Sequence, residues 1–70
     1  MDRLPVQSTA IRSIGYDAET GSLDIEFHHG RVYRYRGVPE FLHQGLMLAK
    51  SKGLFFNIRI ADRYPLEQIG

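Results

Sequence analysis

The residues with the most chemistry in them are basic and aromatic, and they interleave. Tyr33, Arg34, Tyr35 and Arg36 follow one another along the chain. An exposed ring can stack on a nucleobase while a neighbouring arginine takes a phosphate, which are the ingredients of a single-strand nucleic-acid surface. A second set is Lys50, Ser51 and Lys52, followed by Arg59 and Arg63. With Ser51 as the N-cap of a helix, the free N–H groups of the first turn suit an anion. Arg59 and Arg63 lie four apart and would share one face of that helix. The candidates for nucleic-acid contact are therefore Arg34, Arg36, Lys50, Ser51, Lys52, Arg59 and Arg63.

The other reactive side chains form no arrangement that chemistry can use. A zinc site needs three or four converging ligands. His28 and His29 are adjacent on a turn and diverge, and His43 has no histidine one helical turn away. The chain has no cysteine, which removes disulfides and thiolate sites. Asp24 and Glu26 alternate with apolar residues, as on the water-facing side of a one-sided sheet. No desolvated cleft is evident that would shift their pKa. The serines and threonines have no His/Asp partners that can be placed. Lys50-Ser51-Lys52-Gly53 lacks the glycine spacing of a phosphate loop. The expectation is a protein that is not an enzyme and needs no cofactor.

Seventy residues make one small domain with a thin core. The net charge of +1 hides an asymmetry: residues 1–30 carry two bases and five acids, and residues 31–70 carry seven bases and three acids. The second part can offer a basic face to an anionic partner, or simply a solvated surface. No apolar run approaches the roughly 20 residues of a membrane helix, and Met1 to Pro5 do not resemble a signal peptide. A cytoplasmic protein is expected, with no membrane contact.

These side chains must be held by a short series of elements. Thr9 to Tyr16 reads as a strand with imperfect alternation; a bulge near Arg12 and Ser13 would bring Ile11 and Ile14 to one side. Asp17 to Gly21 is a turn. Leu23, Ile25 and Phe27 then line a buried face, with Asp24 and Glu26 toward water. A two-residue turn at His29-Gly30 would push Arg34 and Arg36 into the core. A three-residue turn, His28-His29-Gly30 with Gly30 left-handed, sets Tyr33 opposite Ile25, Tyr35 opposite Leu23 and Arg34 opposite Asp24. It satisfies both faces and is preferred, although it places the tyrosine rings in the core and away from any base.

Pro39 to Lys50 reads as a helix whose apolar stripe is Val38, Phe41, Leu42, Gly45, Leu46 and Ala49, with Gly45 allowing close approach to the sheet. Met47 and Leu48 fall off the stripe. After Ser51 the pattern is ambiguous. Phe56, Ile60 and Tyr64 recur at helical spacing, while Phe56, Ile58 and Ile60 alternate as in a strand. A short helix to about Ala61 is preferred, ended by Tyr64-Pro65. The fold class expected is α+β: a three-stranded antiparallel β-meander followed by two C-terminal helices on one face. The domain would span 9–66, with a flexible lead-in at 1–8 and a tail at 67–70.

An ordered set of motifs in this chain resembles the KTSC domain. They are Ile14-Gly15-Tyr16-Asp17, Leu23 to Phe27, Gly30-Arg31-Val32-Tyr33-Arg34-Tyr35, Val38-Pro39, Ser51-Lys52-Gly53, Phe56-Asn57 to Ile60, and Tyr64-Pro65. Together they cover about residues 8–66. His29-Gly30 replaces the usual Asn-Gly-like turn, and Ile58 and Ala61 stand where more polar or glycine residues are expected. The family is named for a module at the C-terminus of some lysyl-tRNA synthetases and also occurs as single small bacterial proteins. The resemblance implies no enzyme activity. Its synthetase context implies RNA as a partner, with a protein partner as the alternative.

Overall fold

Gly30 sets the register of the sheet. In the computed structural model, which describes residues 1–70, Gly30 has φ of 100°, a conformation that glycine reaches without a Cβ penalty. Its N–H donates to the Phe27 carbonyl at 2.9 Å, and the Phe27 N–H donates to the Arg31 carbonyl at 3.0 Å. The three-residue turn therefore forms. Ile25 faces Tyr33, Leu23 faces Tyr35 and Asp24 faces Arg34.

The elements run β1 (Leu4–Pro5), β2 (Ile11–Asp17), β3 (Ser22–Phe27), β4 (Val32–Tyr35), α1 (Glu40–Leu48), α2 (Lys52–Arg59) and β5 (Leu66–Gln68). The five strands form one antiparallel sheet in the order β1-β2-β3-β4-β5. The α+β class and both helices agree with the sequence reading, but the sheet has five strands where three were expected. β1 lies in the expected lead-in, and β5 crosses the expected boundary at residue 66. Both are short and exposed along their length. They have no buried side to impose an apolar period, and backbone pairing holds them. Pro5 is tolerated because an edge strand need not donate outward.

The bulge in β2 occurs where the apolar pattern required it, between Ile11 and Ser13, and it buries both Ile11 and Ile14. Strand residues Ile11, Ile14, Leu23, Ile25 and Tyr35 pack against Val38, Leu42, Leu46, Phe56 and Ile60. Phe56 meets Phe27 and Tyr35 edge-on, with ring centroids 5.5 and 5.3 Å away. Such contacts add about 1 kcal/mol to the apolar burial.

Leu42 and Leu46 are the buried residues of α1, and Val38, just before the helix, joins them in the core. Phe41, expected in the stripe, is instead exposed, because it lies off the Leu42–Leu46 line and no element covers it. A Cβ on Gly45 would stand 2.7 Å from the Phe55 ring, so its close approach is to α2 rather than to the sheet. In α2, Ser51 Oγ accepts from the Leu54 N–H at 3.3 Å, which is the predicted cap. The helical alternative holds beyond it: Phe56 and Ile60 are buried and Ile58 points outward.

Candidate nucleic-acid interface

The strand arginines already have partners. Arg34 grips Asp24 in two-pronged fashion, Nε to Oδ1 at 2.8 Å and Nη2 to Oδ2 at 3.0 Å. That hydrogen bond, reinforced by the carboxylate charge, raises the arginine's pKa above its ordinary value. Asp24 was expected to face water but is only 3% exposed. The cause is the N-terminal segment. A Cβ on Gly15, which pairs with Asp24, would meet Asp2 O, Arg3 Cγ and Met1 Sδ within 3.3 Å. Residues 1–3 thus lie across the outer face of the sheet. Arg3 Nε also donates to Ser13 Oγ at 3.2 Å, and Ser13 Oγ donates to Glu26 Oε1 at 2.9 Å. Arg36 pairs with Glu67 on β5. With Tyr35 buried and Tyr33 half-buried, β4 presents no ring platform.

The helical side differs. Lys50, Ser51 and Lys52 line an open polar depression with Gln7, Ser8 and Thr9. Lys52 Nζ donates to the Ala49 carbonyl at 3.0 Å, and Lys50 is exposed. α2 stops at Arg59, so Arg63 is not on the same helix face as predicted. It lies in the following turn, where its Nε donates to the Ile58 carbonyl at 3.0 Å. Arg59 and Arg63 nevertheless line one groove, with Phe41, Leu42, Ile58 and Tyr64. The structure therefore gathers Lys50, Ser51 and Lys52 at the start of α2 and Arg59 and Arg63 at its end. Arg34, on β4, and Arg36, just past its end, line neither of these sites. No carboxylate forms an ion pair with Lys50, Lys52, Arg59 or Arg63.

The histidines are dispersed. His28 Nε2 is 2.8 Å from the Ser8 carbonyl, and His29 Nδ1 accepts from the Arg31 N–H at 3.2 Å. His43 stacks on Tyr16 with centroids 4.5 Å apart. Burial lowers its pKa, with Glu40 pulling the other way. Burial, and then Glu40 and Asp17, raise the Tyr16 pKa, and the hydroxyl donates to the Val38 carbonyl at 2.5 Å. No three His, Cys, Asp or Glu side chains gather where a metal could sit. No helix is long and apolar enough to cross a membrane.

The sequence reading missed an apolar surface on the helices. Leu54 and Ile58, one turn apart on α2, are exposed, as is Phe41; Ile58 lines one groove with Phe41 and another with Leu54. The available signal was that Leu54 and Ile58 both lie off the Phe56–Ile60 line.

The model of the KTSC domain matches residues 7–64. A crystal structure of a KTSC domain protein from Yersinia pestis superimposes with a TM-score of 0.93 at 46% identity, covering 99% of this chain and 97% of that one. An uncharacterized protein of Stutzerimonas stutzeri is 46% identical over 57 residues, covering 81% of this chain and 80% of the relative. A lysine–tRNA ligase of Nostoc punctiforme is 36% identical over 66 residues. That match takes in 94% of this chain and 12% of the ligase.

Proposed function

This chain belongs to the KTSC domain family, and from that premise we propose that it is a non-catalytic cytoplasmic module that binds single-stranded RNA through its helical side. The carrying observation is the state of the bases. Arg34 and Arg36 are neutralised by Asp24 and Glu67, whereas Lys50, Lys52, Arg59 and Arg63 have no acidic partner. Unpaired bases can release counterions from a phosphate backbone, and that release supplies most of the affinity in sequence-independent binding. The lysine–tRNA ligases that share this region act, by their names, on tRNA, which supports an RNA partner here. Lack of cysteine suits a reducing compartment.

The test is fluorescence anisotropy with a labelled single-stranded RNA at two salt concentrations. Four phosphate contacts predict a slope of log K against log salt of about −3. The double change Lys52→Glu, Arg59→Glu weakens binding and flattens the slope, with the melting curve nearly unchanged. No binding at micromolar protein in low salt overturns the RNA reading. A second reading, a protein-docking module, is favoured by the outward-facing apolar residues on α1 and α2.

A further inference from the structure

Phe41 is 69% exposed, Leu54 58% and Ile58 53%. In so small a chain, three large apolar side chains left in water beside one another call for a partner. Two depressions run together along them. One, of about 310 Å³, is lined by Phe41, Ile58, Arg59, Arg63 and Tyr64 among others. The other, of about 430 Å³, is lined by Leu54, Phe55, Ile58, Arg59 and Lys50 among others. They share Ile58 and Arg59, and no carboxylate lines either one.

We propose that this groove docks an acidic amphipathic helical segment of a partner protein. The inference deepens the docking reading: Lys50, Arg59 and Arg63 are common to this groove and to the proposed RNA surface, so the two ligands are alternatives at these residues, and the peptide and RNA arms of the experiment separate them. Leu54 and Ile58 lie one helical turn apart, so their row runs along α2 and presents the spaced apolar sites that a helix fills with anchors at i, i+3 or i+4 and i+7. Lys50, Arg59 and Arg63 at the rim favour carboxylates flanking those anchors. Glu40 and Asp62 neighbour the groove in sequence but do not line it.

The same features disfavour the other occupants. A second copy joined about a twofold axis would bring the basic rim against itself. RNA would pair with the rim but leave Leu54 and Ile58 without an apolar counterpart.

The experiment uses the full chain and three labelled peptides of about 12 residues, a length at which an isolated helix is marginal in water and forms on docking. One carries apolar residues at helical spacing with Glu on its flanks. The second has Lys in place of Glu, and the third keeps Glu but scrambles the apolar positions. Anisotropy should show the first binding at least about tenfold more tightly than the others, a difference of about 1.4 kcal/mol. NMR amide shifts should centre on Phe41 and residues 54–63. Leu54→Ser with Ile58→Ser should weaken it by a similar factor while the melting curve shows a folded protein. Arg59→Glu with Arg63→Glu should transfer preference to the Lys peptide. Tighter or equal binding of the Lys peptide to the unchanged protein overturns the acidic chemistry while leaving a docking groove. No peptide bound at millimolar concentration overturns docking itself. Shifts at these residues with RNA and with no peptide assign the groove to RNA. A concentration-dependent dimer abolished by the serine changes assigns it to self-association.

Discussion

Arg34 on β4 and Arg36 just past its end make superficially similar ion pairs, yet they do different work. Asp24 is sealed under residues 1–3 and bonded at both oxygens by Arg34, whereas Arg36 and Glu67 are both about half in water. Removing one partner of a buried pair strands a charge, while an exposed pair contributes little. Arg34→Ala should therefore lower the urea midpoint clearly more than Arg36→Ala does. Adding Asp24→Asn should recover part of the loss, because the stranded charge is gone. Equal midpoints for the two single changes would mean that Asp24 is solvated. Alternation along β3 and β4 made the Asp24–Arg34 pairing legible in the sequence. Its burial was not, since the cover comes from Met1, Asp2 and Arg3, whose residue types carry no period.

At the scale of elements, the turn at Gly30 is the clearest test. Nothing lies within 4 Å of where its Cβ would be, so substitution there is limited by the backbone and not by space. A β-branched residue on the left-handed side of φ costs about 1–2 kcal/mol, and asparagine visits that side more readily. Gly30→Val should lower the urea midpoint more than Gly30→Asn, and identical midpoints would remove the left-handed turn as the source of register. The two hairpin strands and the Ser51 cap were readable because local chemistry sets them. Residues 54–61 were ambiguous between periods of two and 3.6. The core settled the matter by taking Phe56 and Ile60 and turning Ile58 outward. The same limit hid Phe41: an apolar residue at nearly the right spacing looks buried until one knows that nothing covers it. The candidate site was legible only in part. The bases were plain and the acid facing Arg34 followed from the register, but the acid of Arg36 lies on β5, which carries no apolar period.

The whole molecule depends on its edge strands more than their lengths suggest. β5 and the residues beside it take the Arg36 N–H onto the Pro65 carbonyl at 2.9 Å and exchange bonds between Val32 and Ile69 and Gly70. Removing residues 66–70 should lower the melting temperature. It should also raise light scattering, because β4 becomes an open edge that can pair with another chain. An unchanged melt and a monodisperse sample would show β5 to be dispensable. There is also a kinetic consequence in the path between β4 and β5. Only four residues separate the end of β2 from β3 and the end of β3 from β4, but Tyr35 meets Leu66 only across residues 36–65, which contain both helices. Closing a loop of that size costs about 2 kcal/mol more in chain entropy than closing a four-residue turn. The hairpins can thus zip early, and the last strand arrives when the helices are already seated. Its amides should exchange with solvent before those of β2 and β3, and the closing of this far edge marks the point at which the helices have docked.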